Sequence, residues 1–191
     1  MHIHPDRMPP LAPEAMDEEQ KAAAQALING PRKGVKGPFI PLMRAPALMD
    51  RLQRVGEYIR FDSSLPARLN EFAMVVVSRC YTQQFEWHVH VPLAMKAGTS
   101  AATIEAVRVG TRPRDMSGDE ALVYDYVTEL IAHRGVSDAT YAATVARFGE
   151  RGLLDLTGLV GYFITVSLVL NVAHTPPDAV EGVLPLPALP L

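Results

Sequence analysis

The stretch ARLNEFAMVVVSRCYTQQFEWHVHVPLAMKA, residues 67–97, decides the fold of this chain. Its first part has four residues spaced as one face of an α-helix, and these are Leu69, Ala73, Val76 and Cys80. Ser64 and Pro66 precede this part and are typical of a helix start. Its second part ends at Gly98, a residue type common just after a helix. The stretch predicts two consecutive helices, over residues 67–81 and 84–97.

Helix signals recur along most of the chain. Asp17 with Gln20 predicts a capping box for a helix that runs to about Asn29, and Ser117 with Glu120 predicts another for a helix that Gly135 stops. Further helices are expected over residues 46–60, 100–109, 137–148 and 152–172, and a loop over 30–41. No segment alternates as a strand does. The predicted fold class is all-α, a single domain of about eight helices.

Proline-rich segments flank this helical region. Residues 1–16 contain four prolines and predict an extended N-terminal arm. Residues 175–191 contain five prolines and four leucines, which is too apolar for a solvated tail. We expect this C-terminal arm to lie along a groove, on its own or a neighbouring subunit. The helical domain between the arms spans residues 17–174.

The composition limits the possible partners. The chain has 191 residues, 48% of them hydrophobic, and a net charge of −3, so neither nucleic acid nor an anionic membrane is expected. Its single cysteine, Cys80, fits a cytoplasmic location, and the N-terminus lacks the apolar core of a signal peptide. Residues 156–173 carry no charge, but their glycines and polar residues favour a helix buried by protein over one in a membrane.

The chemistry is expected in the second of the two central helices. Glu86 and His90 are four residues apart and share a helix face, where the carboxylate orients the imidazole and raises its pKa. Such a pair suits general acid–base catalysis, although a surface ion pair has the same spacing. Glu71 lies in an apolar helix, so it either points to water or has a partner. Pro92 leaves the carbonyl of His88 without its helical donor.

Three nearby residues have simpler interpretations. Trp87 is expected to pack rather than to support a substrate. On a regular helix His88 points away from Glu86 and His90, so it is expected on the surface or at a subunit contact. The same direction argues against a metal site built from Glu86, His88 and His90. Cys80 is expected to be a small buried hydrophobic residue.

From Glu71 to Gly98 the chain resembles the core of the carboxymuconolactone decarboxylase and alkylhydroperoxidase D-like superfamily. The resemblance rests on an acidic residue in an apolar helix, a spaced polar cluster, a histidine and an Ala-Gly helix stop. The redox branch of that superfamily has Glu, then Cys-x-x-Cys, then His. At the two cysteine positions this chain has Gln83 and Glu86, so it resembles the cysteine-less, non-redox branch.

This resemblance implies cofactor-free acid–base chemistry, without a metal, on a small carboxylated or lactone metabolite. His90, held by Glu86, would protonate carbon after loss of CO₂, and Glu71 or Gln83 would orient the histidine or the substrate. Arg79 and Arg44 are candidate cations for a substrate carboxylate. The remaining candidate substrate-binding residues are Trp87 and Tyr81.

Two other functions remain open. One is a thiol peroxidase-like antioxidant protein that uses Cys80, which the missing Cys-x-x-Cys disfavours. The other is a non-catalytic, oligomeric protein that binds a small ligand. For all three, the resemblance implies a homo-oligomer, a trimer or hexamer, and the apolar helix over 152–172 agrees because it needs burial on most sides.

Overall fold

The computed structural model describes residues 5–178 and 180–187, and within them it contains eight α-helices and no strand. The predicted all-α fold is therefore confirmed. The helices are α1 Glu18–Asn29, α2 Phe39–Leu42, α3 Pro46–Glu57, α4 Ala67–Cys80, α5 Gln84–Lys96, α6 Ala101–Arg108, α7 Gly118–His133 and α8 Asp138–Ala173. A 3₁₀ turn, Pro13–Ala15, precedes α1, and a π-helical turn, Tyr58–Asp62, extends α3.

The predicted capping boxes are both formed. Asp17 and Gln20 exchange side-chain and backbone hydrogen bonds at the start of α1, and Ser117 and Glu120 do the same at α7. Each box satisfies backbone N–H groups that have no partner inside the helix. Local sequence therefore determines where these helices begin.

Other boundaries differ from the predictions in small ways. The predicted loop 30–41 contains the start of the short helix α2. Arg134, rather than Gly135, takes the left-handed conformation that ends α7. Ser64 does not cap α4, because its N–H and hydroxyl group both donate to the carboxylate of Asp155 in α8. This tertiary contact outcompetes the local cap.

Helix α8 consists of the two helices predicted at its position. Gly149 interrupts it with φ 71° and ψ 172°, a conformation that favours glycine. Among the described residues, α8 is the one helix that is long and apolar enough to cross a membrane. Half of the residues in its apolar window are buried inside the protein, as in a helix that passes through a core.

Helix α4 lies at the centre of the domain and packs against α5, α7 and α8. The predicted stripe of α4 is buried at Leu69, Ala73 and Val76, as expected. The prediction for Cys80 was wrong, because this residue is exposed. Cys80 is the last residue of α4, where the helix ends before its side chain reaches the core.

A second, smaller core joins the N-terminal helices to each other. It contains Ala24, Leu27, Phe39, Leu42, Met43 and Met49, from α1 to α3. The loop between α1 and α2 reaches α5, where the Phe85 ring packs so closely on Gly37 that a Cβ there would collide with it. This packing places the loop beside the central helix pair.

The described part of the C-terminal arm lies on its own domain. The Trp87 indole donates to the Leu184 carbonyl at 2.9 Å, and the Gln84 amide forms two hydrogen bonds with the backbone of Leu186. Leu186 is buried in the main core. The arm therefore covers the outer side of α5, and its last residues, 188–191, lie outside the described range.

Candidate acid–base site

The α4–α5 pair brings Glu71, Glu86 and His90 together. His90 Nδ1 lies 2.7 Å from Glu71 Oε2, and His90 Nε2 lies 3.2 Å from Glu86 Oε2. Glu71 projects from α4, whereas Glu86 and His90 occupy successive turns of α5. The imidazole is therefore held between two carboxylates, and we call these three residues the His90 cluster.

The short connection before α5 positions this cluster. The Gln83 side chain caps α5 by accepting from the N–H groups of Phe85 and Glu86, and its amide donates to Asn171 Oδ1 at 2.9 Å. The Asn171 amide in turn donates to the Tyr81 carbonyl at 3.0 Å. Gln83 and Tyr81, predicted to contact substrate, thus fasten the α4–α5 connection to α8.

The cluster is enclosed. His90 is 2% exposed and Glu86 is 5% exposed, whereas the Glu71 side chain retains 17%. The Phe163 ring of α8 packs edge-on against the imidazole, with 5.1 Å between the ring centroids. Glu71 therefore has a partner rather than pointing to water, and of the two carboxylates it is the more accessible to solvent.

Burial on its own would lower the pKa of His90. The hydrogen bonds and negative charges of Glu71 and Glu86 outweigh this effect, so the pKa of His90 lies above its ordinary value of 6.5. The protonated ring has two N–H donors, one for each carboxylate. The cluster can therefore pass a proton from one carboxylate to the other through the imidazole.

Two further residues, neither of them among the site residues predicted from the sequence, lie within electrostatic range of Glu86. Arg32 comes from the loop before α2 and stacks on the Phe39 ring, 4.5 Å from its centroid. Tyr162 lies in α8 beside Phe163. Burial is the main cause of the raised pKa of Tyr162; the charge of Glu86 adds to it, and that of Arg32 opposes it. Neither residue stands in a sequence pattern that would indicate a role.

The structure does not bring the other predicted substrate-binding residues to the His90 cluster. Arg79 donates to the Arg108 carbonyl at 2.9 Å, and Arg44 donates to carbonyls of the N-terminal arm. Trp87 is fully buried and packs, as its simpler interpretation proposed. The position of these two arginines at helix ends, which the sequence predicts, does not determine where their long side chains end.

The surface position expected for His88 was also wrong. This residue is buried, and its Nδ1 donates to the Gln84 carbonyl at 2.7 Å. That contact turns the ring away from Glu86 and His90. Within residues 5–178 and 180–187, no group of three or more His, Cys, Asp and Glu side chains has an arrangement that could hold a metal ion.

The described part of the chain has two surface pockets that bear on the site, and the His90 cluster lines neither of them. The larger, about 270 Å³, lies between α5, α6 and the C-terminal arm and is bounded by Trp87, Val91 and Ile104. The smaller, about 210 Å³, contains Cys80, Arg79 and Tyr124. Although Cys80 is exposed as a residue, the walls of this pocket partly desolvate its thiol and raise the thiol pKa, and the charge of Arg79 only partly opposes this rise.

Comparison with known proteins gives a family match over part of the chain and a fold over most of it. Residues 46–123 match the sequence model of the carboxymuconolactone decarboxylase family. No curated protein matches the chain. The structure is similar to the crystal structure of an alkylhydroperoxidase AhpD core, an uncharacterized peroxidase-related protein from Ralstonia eutropha JMP134. The TM-score is 0.73 and the sequence identity is 15%, over 92% of this chain and 94% of that one.

Two further crystal structures have the same fold. An uncharacterized peroxidase-related protein from Silicibacter sp. TM1040 has a TM-score of 0.70 and 13% identity, over 90% of each chain. A protein of unknown function from Agrobacterium tumefaciens has a TM-score of 0.64 and 16% identity, over 75% of this chain and 99% of that one. Likeness at such low identity shows the fold alone.

The family match includes the whole of the α4–α5 pair, which carries the His90 cluster. The chain has one cysteine and therefore no Cys-x-x-Cys pair. The chain is therefore similar to the carboxymuconolactone decarboxylase family over residues 46–123, and it shares its helical fold with the AhpD-like crystal structures.

Proposed function

We propose that this protein is a cofactor-free acid–base enzyme that acts on a small carboxylated or lactone metabolite, with decarboxylation as the reaction to test first. One observation carries the proposal: the buried His90 ring lies between the carboxylates of Glu71 and Glu86, at 2.7 and 3.2 Å. A buried imidazole with carboxylates at both nitrogens is equipped to move protons at neutral pH.

The two carboxylates have different surroundings, which suggests different roles. Glu86 is close enough to Arg32 and Tyr162 to influence the pKa of each, so we assign it to the substrate side. Glu71 is more exposed, so we assign it to exchange with solvent. His90, enclosed between them, relays the proton rather than meeting the substrate itself.

In a decarboxylation, the bond between the substrate carbon and its carboxylate breaks and CO₂ leaves. The electron pair passes into the conjugated carbonyl, where hydrogen-bond donors must stabilise the developing charge. A proton from the His90 imidazolium then reaches the substrate carbon through Glu86. Glu71 returns a proton from solvent to His90, which restores the starting state.

One observation favours a second candidate, a small-ligand-binding protein without catalysis. The larger cavity lies beside Trp87 and does not reach His90. A ligand held there would leave the His90 cluster with a structural role. We disfavour a thiol peroxidase because Cys80 has no second cysteine and its thiol has a raised pKa.

The test is a kinetic comparison on a panel of small unsaturated acids and lactones, with CO₂ release as the readout. We expect Glu86→Gln and His90→Gln to lower kcat by about 10²–10⁴-fold on any substrate that turns over. Arg112→Gln is the control, because it removes an exposed ion pair with Asp125. Wild-type turnover in both site variants would refute the assignment.

We also propose that the protein is a cytoplasmic homo-oligomer, a trimer or hexamer. Support comes from a row of exposed, uncharged residues on α8, which we call the α8 stripe: Leu154, Gly158, Gly161, Thr165, Leu168 and Val172. Their three- and four-residue spacing matches the contact face of two packed helices. Its leucines and valine are 48–66% exposed in the single chain, so a second copy would bury them.

A further inference from the structure

Two arginines, Arg32 and Arg60, have no acidic partner within the described part of the chain. Arg32 and Arg60 are half-buried, and the Nε of each is buried without a hydrogen-bond partner among the described residues. Within the same range, no carboxylate oxygen lies within 4.0 Å of either guanidinium. The exposed Arg112 and Arg147, in contrast, contact carboxylates at 2.8 and 2.6 Å.

The fold creates room for this arrangement. Arg32 Nη2 and the Tyr162 hydroxyl both approach the backbone of α3 at Gly56. A Cβ at that position would lie 2.7 Å from Arg32 Nη2 and would collide with the Tyr162 hydroxyl. The absence of a side chain at Gly56 therefore lets the Arg32 guanidinium and the Tyr162 hydroxyl both pack against the backbone of α3.

Arg60 follows Gly56 by four residues and lies in the π-helical turn Tyr58–Asp62, which extends α3. Burial is the largest cause of the lowered pKa of Arg32, and the positive charge of Arg60 contributes to it. The negative charges of Glu57 and Glu86 raise the pKa of Arg32, although neither carboxylate contacts its guanidinium group. An anion bound by both guanidinium groups would relieve the repulsion between them and supply the carboxylate contact that each lacks.

This region adjoins the proton-relay residues. Glu86, which contacts His90, influences both Arg32 and Tyr162. Phe163, the residue after Tyr162, packs on the His90 ring. An anion held by the two arginines would therefore lie on the Glu86 side of His90.

We propose that Arg32 and Arg60, with the Tyr162 hydroxyl, bind the carboxylate of the substrate on which Glu86 and His90 act. The inference rests on the proposed function, and it replaces Arg79 and Arg44 as the substrate-binding cations. A guanidinium presents paired N–H donors in a plane, which matches the two oxygens of a carboxylate. The Tyr162 hydroxyl adds a third donor from α8.

The test uses acetate as the probe, with acetamide as its neutral counterpart, at constant ionic strength. Binding is followed by NMR through the arginine Nε–Hε signals of the full-length protein. We expect acetate but not acetamide to shift the signals of Arg32 and Arg60. Arg32→Gln and Arg60→Gln should each weaken acetate binding by about tenfold, and Arg32→Lys should restore part of it. Arg112→Gln should leave it unchanged.

Glu86→Gln should change the acetate affinity in the opposite direction from the arginine substitutions. It removes a negative charge near Arg32, so acetate should bind more tightly. Unchanged acetate binding in Arg32→Gln and Arg60→Gln, equal binding of acetamide, or tighter binding of inorganic phosphate than of acetate would each overturn the proposal. These titrations require no turnover. Failure of the anion site is therefore distinguishable from failure of the acid–base assignment, which the CO₂ assay measures.

Discussion

His90 Nδ1 lies 2.7 Å from Glu71 Oε2, although the two residues belong to different helices and are 19 positions apart. This contact converts the Glu86–His90 pair of α5 into a three-residue cluster. It also explains how the apolar helix α4 tolerates a carboxylate, because a buried charge needs a partner. The central helix pair thus positions the chemistry as well as forming the core.

The first prediction concerns the protonation of His90. Its pKa lies above 6.5 in the folded protein, and Glu71→Gln should lower it by removing a carboxylate that favours the imidazolium. The measurement is an NMR titration of the ¹⁵N-labelled histidine ring. Glu105→Gln, which removes an exposed carboxylate paired with Arg108, should leave the His90 pKa unchanged. A wild-type His90 that titrates below 6.5 would contradict the prediction.

The same shift makes stability depend on pH. Because the folded-state pKa of His90 is raised, its contribution is complete below the unfolded value near 6.5 and is lost as the pH rises through the folded value. In Glu71→Gln, the free energy of unfolding should therefore decrease less than in the wild type as the pH rises above 6.5. Chemical denaturation of the wild type and Glu71→Gln at several pH values across this range measures the difference.

The second prediction separates thiol chemistry from acid–base chemistry. Cys80→Ala should retain turnover within about twofold, because a lone thiol with a raised pKa is a poor nucleophile at neutral pH. Alkylation of wild-type Cys80, which is exposed, should likewise leave activity intact. Loss of activity in both experiments would favour the thiol peroxidase hypothesis over acid–base catalysis.

The third prediction concerns Asp155, which anchors α8 to the π-helical turn and the loop after it. Its carboxylate accepts from the Tyr58 hydroxyl at 2.9 Å and from the Ser64 N–H and hydroxyl at 2.8 and 2.6 Å. Asp155→Asn should lower the free energy of unfolding by about 1–3 kcal/mol, measured by chemical denaturation. Asp125→Asn, at an exposed ion pair, should have a much smaller effect.

The stabilising effect of Asp155 should depend on pH. Burial raises the pKa of Asp155, but the hydrogen bonds from Ser64 and Tyr58 outweigh it, so the net pKa is lowered. The stabilisation is therefore present above the unfolded value near 3.8 and is lost as the pH falls through the folded value. Equal acid sensitivity of the wild type and Asp155→Asn would contradict this.

The fourth prediction tests the α8 stripe as a subunit interface. Leu168→Glu places a charge in the middle of the stripe and should shift the protein to smaller species in light scattering coupled to size-exclusion chromatography. Ile28→Glu, at a comparably exposed position on α1, is the control and should leave the mass unchanged. A wild-type protein that is monomeric at high concentration would rule out the proposed oligomer.

The sequence by itself determined the helices, their capping boxes and the Glu86–His90 pair. It also determined that both redox-cysteine positions hold Gln83 and Glu86. These features depend on residues within about one helical turn of each other, where 3.6-residue periodicity and capping chemistry apply directly. Such short-range information requires no knowledge of how the helices pack.

Only the tertiary structure decided which residues share the site. It paired Glu71 with His90, placed Arg32 and Tyr162 within electrostatic range of Glu86, and directed Arg79 and Arg44 elsewhere. Arg32 and Tyr162 are far apart in sequence, so their proximity arises from the packing of a loop and α8 on α3. Long side chains also reach several ångströms from their backbone, and helix packing determines where their charged ends lie.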